Sequence, residues 1–210
     1  MNQNRKKMII DRYSARFAKF GVSKETLGWD KGKQDLRYTA LIRDIPKEIS
    51  SIIDVGCGFG DGIPLIMDKF PKVNYTGIDL VPDFIDYCRM SFPGLAFKCG
   101  DYFDLLHNSD AVVASGIFNQ DDGENYNEMR RLIECCRKNN VRYISFDVLS
   151  DNVDFRTQHN HYSNVGVLSE IVNEYSRRYS ISHKDQPFEF SLFIDLSDEF
   201  DSNTSRYVID

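Results

Sequence analysis

The chain has 210 residues, of which 41% are hydrophobic and 28% charged, a balance typical of one globular domain with a substantial core. The formal net charge of −6 argues against nucleic acid as a partner, because non-specific nucleic-acid binders usually present a basic face. The one dense basic run is Arg5-Lys6-Lys7, which we interpret as a solvated helix end. We expect no membrane span, since no apolar stretch approaches the about 18 residues that a span requires.

Two helices are predicted before the first strand. Apolar residues recur at helical spacing over 11–20 and 33–45, and Pro46 ends the second helix because proline cannot donate a backbone hydrogen bond. From residue 50 onward, strand-like and helix-like segments alternate. The predicted strands are 51–55, 73–79, 96–99, 110–115 and 141–147, and the predicted helices are 61–70, 82–91, 124–138 and 165–177. Two last runs, 179–183 and 188–196, predict a terminal hairpin.

This alternation predicts an α/β fold with a doubly wound, mainly parallel sheet, to which the hairpin adds an antiparallel strand. With no repeat or linker in the sequence, we expect a single domain over residues 1–210. Within it, residues 1–48 form a helical cap or lid, 49–196 the core and 197–210 a loosely attached acidic tail. The five cysteines form no C-x-x-C pair, so we expect free thiols in the cytoplasm. We expect a monomer or a homodimer.

A glycine-rich turn lies directly between the first predicted strand and the helix after it. Gly56, Gly58 and Gly60 occupy alternate positions of this turn, which lets the backbone approach a ligand closely. Alone, the turn is a weak signal, since it could serve a dinucleotide, another nucleotide or tight packing.

Three acidic residues make the interpretation narrower. Asp54, Asp79 and Asp101 follow or end three consecutive predicted strands, and open α/β sheets bind ligands at that edge. Carboxylates accept hydrogen bonds from ribose hydroxyls and from an adenine amine. Asp61 and Asp83 open the next two helices, which makes a poor phosphate site and suits a cationic ligand. The residues therefore favour S-adenosylmethionine over a nicotinamide dinucleotide.

The same segments resemble the motifs of class I S-adenosylmethionine-dependent methyltransferases. The glycine turn resembles their first motif, Gly77-Ile78-Asp79-Leu80 their ribose motif and Gly100-Asp101-Tyr102 their adenine motif. Ala114–Asn119 and Leu27-Gly28-Trp29…Arg37 resemble a bacterial subgroup that acts on small molecules and surface glycans. The resemblance implies a seven-stranded sheet whose last strand is antiparallel.

The resemblance also implies a role for each matching residue. Gly56 and Gly58 would line the methionine part of the cofactor, and Asp54 would order both the turn and the amino group of the cofactor. Asp79 would hold the ribose. Asp101 and Tyr102 would meet the adenine edge, Ser115 and Gly116 would lie under the sulfonium, and Arg37 would pair with the cofactor carboxylate. Gly60 and Leu80 complete the predicted cofactor site: Arg37, Asp54, Gly56, Gly58, Gly60, Asp79, Leu80, Asp101, Tyr102, Ser115 and Gly116.

The acceptor site is less well marked. His159 and His161 are candidate general bases, although a solvated loop or an H-x-H metal pair would give the same pattern; we expect no metal. Candidate acceptor contacts are Tyr13, Phe118, Asn119 and Arg156. The expected reaction is methyl transfer to an oxygen of a small molecule, by family analogy a sugar or surface-glycan precursor.

Two alternatives remain open on the sequence. One is an NAD(P)-dependent oxidoreductase on a similar sheet. The other is a non-catalytic partner subunit that binds the cofactor and uses Trp29 and the helices of residues 11–45 as an interface.

Overall fold

The computed structural model describes residues 3–28 and 34–197. The strands are β1 (Ser51–Val55), β2 (Asn74–Asp79), β3 (Ala96–Cys99), β4 (Ala111–Ala114), β5 (Tyr143–Leu149), β6 (Tyr179–Ser182) and β7 (Glu189–Asp195). The helices are α1 (Gln3–Phe20), α2 (Lys24–Leu27), α3 (Gln34–Ile42), α4 (Ile63–Lys69), α5 (Pro82–Ser91), α6 (Tyr102–Leu105), α7 (Asn125–Lys138) and α8 (Val165–Asn173).

The seven strands form one sheet in the order β3-β2-β1-β4-β5-β7-β6. The pairs from β3 through β5 are parallel, whereas β7 runs antiparallel to both β5 and β6. This confirms the predicted doubly wound, mostly parallel sheet with an antiparallel last strand. The order reverses between β1 and β4, which in open α/β sheets is where the ligand crevice lies.

Helices cover both faces of the sheet, and the strand side chains alternate between two apolar clusters. Ile53 and Val55 of β1 belong to the cluster under α7 and α8, whereas Ile52 belongs to the cluster under α3, α4 and α5. Successive strand residues point to opposite faces, so a strand that is covered on both sides is apolar at nearly every position. The central strands therefore hold the carboxyl edge of the sheet rigidly in place.

The N-terminal helices differ in how they attach to this core. α3 buries five residues, whereas no residue of α1 is buried. α1 begins at Gln3, well before the predicted start at residue 11, and touches the core through Tyr13 and Phe17, whose rings lie about 6 Å from Phe84 and Phe59. Trp29 and the tail from residue 198 lie outside the described residues. Within the described ranges, no helix is long and apolar enough to cross a membrane.

Candidate functional site

The glycine turn after β1 adopts a conformation that other residues rarely take. Gly56, Gly58 and Gly60 have φ angles of +74°, +54° and +80°, in the left-handed region where only glycine is unstrained. At Gly60 a side chain would also collide, because a Cβ atom there would lie 2.7 Å from Ile63 Cδ1. The turn therefore presents bare backbone to whatever binds above it.

A cavity of about 580 Å³ lies above this turn, at the carboxyl edge of the sheet. Its floor comes from the ends of β1, β2, β4, β5 and β7, and α1 and α3 contribute to its walls. Eight of the eleven predicted cofactor residues line it: Arg37, Gly56, Gly58, Asp79, Leu80, Tyr102, Ser115 and Gly116. Asp54, Gly60 and Asp101 do not belong to the lining.

Asp79 ties the glycine turn to the end of β2. One carboxylate oxygen accepts a hydrogen bond from the Gly58 amide at 3.0 Å, and the other accepts one from the Val81 amide at 2.9 Å. Burial raises the pKa of Asp79, while these amide hydrogen bonds oppose the rise. A carboxylate oxygen can accept more than one hydrogen bond, so Asp79 is already oriented when it meets a ligand hydroxyl.

Asp54 lies beneath the turn rather than in the cavity. It is fully buried and accepts hydrogen bonds from the hydroxyls of Tyr38, at 3.2 Å, and Tyr75, at 3.0 Å. Burial raises its pKa to about 7, although the two tyrosine hydroxyls oppose that shift. Its charge can act on a ligand above the turn, but its oxygens make no contact with the cavity.

Asp101 also faces away from the cavity. One oxygen caps α6 by accepting from the Phe103 amide at 3.1 Å, and the other pairs with Lys6 of α1 at 2.8 Å. Burial raises the pKa of Asp101, but the hydrogen bonds from Lys6 and Phe103 outweigh burial and leave the pKa lower than usual. The basic run interpreted as a solvated helix end therefore holds α1 over the site: Arg5 also pairs with Asp122 at 2.6 Å.

The far half of the cavity contains a buried ion pair. Arg37 of α3 donates to both oxygens of Glu189 at the start of β7, and each side chain is only 6% exposed. Asp147 of β5 lies nearby and accepts hydrogen bonds from the Ser115 hydroxyl at 2.7 Å and the Gly116 amide at 2.6 Å. Arg37 therefore lines the predicted site with its charge already matched within the protein.

The predicted acceptor residues divide into two groups. Tyr13, Phe118 and Asn119 line the cavity. Arg156 does not; its guanidinium stacks on Tyr162 at 5.5 Å and donates to the Asp151 carbonyl. In its place, the neighbouring Phe155 reaches the lining and packs edge-on against Phe188, with ring centroids 5.2 Å apart.

The two histidines that we predicted as bases also lie outside the lining. His159 is exposed, and the ring of His161 packs edge-on against Tyr126 at 4.8 Å. Burial lowers the pKa of His161, and its amide donates to the Asn119 carbonyl at 3.0 Å. Through that bond His161 helps to fix a cavity loop. Across the described ranges, no three His, Cys, Asp or Glu side chains form a group that could hold a metal ion.

Sequence reasoning missed several polar residues of the lining: Gln34, Glu128, Gln186 and Glu189. For Glu128 a signal exists, because it lies four positions before Leu132 and so on the buried face of α7. For Glu189 there is none in the local pattern, since its partner Arg37 is 152 positions away.

The acids around the turn determine which ligand suits this cavity. Burial raises the pKa of Asp54, Asp61 and Asp79, which means that each carboxylate would gain from a nearby positive charge. A sulfonium and an ammonium group supply that charge, whereas a pyrophosphate would add repulsion. The residues therefore fit S-adenosylmethionine and do not fit a dinucleotide.

Comparison with known proteins agrees with this geometry. Residues 52–139 match the family model of the methyltransferase domain. A Papaver somniferum protein named as a scoulerine-9-O-methyltransferase is 32% identical over 107 residues, which are 50% of this chain and 30% of that protein. A Mycobacterium tuberculosis protein named as a methyltransferase is 27% identical over 154 residues, which are 69% of this chain and 92% of that protein.

A solved structure shows the same fold over nearly the whole chain. Magnesium protoporphyrin IX methyltransferase from Synechocystis PCC 6803, with bound S-adenosylmethionine, superposes with a TM-score of 0.62 at 15% identity. The match covers 91% of this chain and 97% of that one. The cavity described above lies at the carboxyl edge of this shared sheet.

Proposed function

Since this chain belongs to the class I S-adenosylmethionine-dependent methyltransferases, we propose that it methylates an oxygen of a small, neutral, hydroxyl-rich acceptor such as a sugar or a surface-glycan precursor. The Papaver somniferum relative, by its name, methylates an oxygen. The observation that carries the proposal is the charge of the far half of the cavity, where Arg37 and Glu189 belong to the lining and the buried Asp147 lies behind Ser115 and Gly116.

This charge balance argues against an anionic acceptor. Burial raises the pKa of both Asp147 and Glu189, and the nearby Asp147 raises the pKa of Glu189 further. A carboxylate on the acceptor would be repelled by these two acids, because the buried surroundings screen charge poorly. Hydroxyl groups, in contrast, can both donate to the acids and accept from Gln34 and Gln186, which also line the cavity.

Aromatic rings complete this half of the cavity. Phe155 and Phe188 lie at its mouth and are 49% and 44% exposed. Half-exposed aromatic rings offer a rigid apolar face with little loss of side-chain entropy. A sugar ring, which has apolar CH faces and polar edges, suits an aromatic mouth above a polar floor.

In the proposed mechanism the protein positions the two reactants. Gly56, Gly58 and Asp79 would hold the cofactor, which supplies an activated methyl group when bound. α1 closes over the site and keeps water from it, while Ser115 and Gly116 are fixed by Asp147 at the boundary between the two halves. Orientation of this kind accounts for much of the acceleration of a displacement reaction.

We place the proton acceptor at Glu189 rather than at His159 or His161. Glu189 lines the cavity, and burial raises its pKa above the ordinary value although Arg37 opposes the shift. A carboxylate with a raised pKa is a better general base for a hydroxyl. Neither histidine reaches the lining.

The test is a transfer assay with cofactor labelled in its methyl group. The acceptors are pairs that differ only by a carboxylate, such as a methyl glucoside and the matching methyl glucuronide. We expect transfer to the neutral member of a pair; preferential transfer to the acidic member would refute the proposed acceptor class.

Calorimetry with S-adenosylhomocysteine, with reduced dinucleotide as the comparison, tests the cofactor separately. Cofactor binding without transfer to any acceptor would favour the non-catalytic partner.

A further inference from the structure

Four buried polar atoms on three side chains of the cavity lack hydrogen-bond partners among the described residues. They are the Tyr102 hydroxyl, both amide atoms of Asn119, and Oε2 of Glu128. The three residues line the cavity and are only 6%, 9% and 3% exposed. Buried polar groups are almost always paired, because leaving one unpaired costs desolvation energy. A ligand that supplied the missing hydrogen-bond partners would remove this desolvation cost, and its binding would be stronger by that amount.

These groups are held in place by the surrounding protein. The other oxygen of Glu128 receives Arg131 at 2.7 Å and Arg5 at 3.3 Å. The Asn119 loop is fixed by the His161 amide and by a backbone bridge between Gln120 and Asn160. Groups whose position is fixed before binding lose little entropy when a ligand arrives.

Asp101, which the motif resemblance assigns to the adenine, is arranged differently. Its two oxygens serve the α6 cap and Lys6, and it does not belong to the cavity lining, whereas Gly100 and Tyr102 on either side do. Lys6 of α1 and the amide at the start of α6 therefore occupy both oxygens of the carboxylate to which the motif resemblance assigns the base.

The direction of the cofactor follows from the order of the strands. The proposed function places the acceptor over β5 and β7 and the ribose at Asp79 of β2, so the base extends toward β3. Gly100 and Tyr102, which follow β3, belong to the lining there, and Glu128 lies close enough to Tyr102 to raise the pKa of its hydroxyl. Adenine has an amine that donates and ring nitrogens that accept. Glu128 can accept from the amine, and the Asn119 amide and Tyr102 hydroxyl can donate to the ring.

We infer that Glu128 recognises the adenine amine, with Asn119 and Tyr102 donating to the ring, and that Asp101 instead anchors α1 through Lys6. This inference rests on the proposed function for the adenosyl cofactor and for the direction in which that cofactor lies. It makes Glu128 of α7 the residue that determines specificity for the base.

The experiment compares S-adenosylhomocysteine with S-inosylhomocysteine, in which a carbonyl replaces the amine. Calorimetry gives the dissociation constants for the wild type, Glu128→Gln and Asp101→Asn, with Glu124→Gln as the control because Glu124 is an exposed acid at the start of the same helix. We expect the wild type to prefer adenine by about tenfold or more, because the carbonyl would face a carboxylate. The preference should fall to about threefold or less in Glu128→Gln alone, because the amide can pair with either base.

The ratio within one variant does not depend on how much of that variant is folded. A wild type without preference for adenine, or a preference that Glu128→Gln retains and Asp101→Asn loses, would overturn the assignment. Failure of the wild type to bind S-adenosylhomocysteine at all would instead overturn the proposed function. The two failures are therefore distinguishable.

Discussion

Among single residues, Asp54 makes the stability of the protein depend on pH. Its pKa is about 7 in the folded protein because it is buried, against about 3.9 in an unfolded chain. Between these values the unfolded carboxyl has lost its proton and the folded one has kept it, so the free energy of unfolding falls as pH rises through that window. Above pH 7 the free energy of unfolding has fallen by its full amount. This amount is a few kcal/mol, because each unit of pKa difference corresponds to about 1.4 kcal/mol.

We therefore expect Asp54→Asn to be more stable than the wild type at pH 8, with the difference shrinking toward pH 4. Urea unfolding at pH 4.5, 6 and 8 measures it, and the exposed Asp86→Asn is the control. A difference that stays constant across this range would show that Asp54 is not protonated in the folded protein.

Asp79 is the residue whose replacement should weaken cofactor binding most directly. Asp79→Asn keeps the size of the side chain but turns one acceptor toward the Gly58 or Val81 amide into a donor. We expect the affinity for S-adenosylhomocysteine to fall by about 10–100-fold, in line with loss of a hydrogen bond to a charged group. Calorimetry measures this affinity, and an unchanged dissociation constant would show that Asp79 does not contact the cofactor.

The positions of the acids could be predicted from the sequence, but the direction of their side chains could not. Asp54, Asp79 and Asp101 all lie where the strand pattern puts them, at one edge of the sheet. Only Asp79 reaches the cavity. The other two are turned by Tyr38 and Tyr75, and by Lys6, which lie elsewhere in the chain and carry no local signal.

At the scale of elements, α1 is only loosely bound to the rest of the protein. It buries no residue and is held by ion pairs, among them Lys6 with Asp101 and Arg5 with Asp122. Salt screens such pairs. We expect Lys6→Gln to speed the release of S-adenosylhomocysteine about two- to fivefold at low salt, the effect of one partly exposed pair, and the difference to narrow as salt is added.

Stopped-flow measurement of release, at low and at high salt, tests this role of α1. Lys7→Gln is the matched control, because Lys7 is 76% exposed and pairs with Asp11 of the same helix. Equal release rates for Lys6→Gln and Lys7→Gln would mean that the pair between Lys6 and Asp101 does not hold α1 over the cavity.

Regular elements were easier to predict than short ones. The helix Pro82–Ser91 and the strand Ala96–Cys99 agree with the predicted ranges, because periodicity and a proline at the first turn define them. The four-residue helices α2 and α6 were missed, since a single turn shows no period. The apolar spacing predicts the start of α1 eight residues late, because the first five residues of the helix are polar.

For the whole molecule, Arg37 and Glu189 join the first layer of helices to the last hairpin. The pair lies between α3 and β7, elements at opposite ends of the chain. Removing one partner leaves a buried charge alone, which typically costs about 3–5 kcal/mol, whereas replacing both by apolar residues is often neutral. Arg37→Met should therefore destabilise the protein by about that amount in urea unfolding, and Arg37→Met/Glu189→Leu should recover most of it.

The double variant separates stability from catalysis. If Glu189 accepts the proton of the acceptor, the recovered protein still binds S-adenosylhomocysteine, because Gly58 and Asp79 are untouched, yet transfers methyl groups far more slowly. Glu189→Gln, which keeps one of the two hydrogen bonds from Arg37, should lose the rise of activity with pH that a carboxylate base produces. Full activity in the double variant would mean that the pair only holds α3 against the hairpin, and that the acceptor hydroxyl loses its proton to another group or to water.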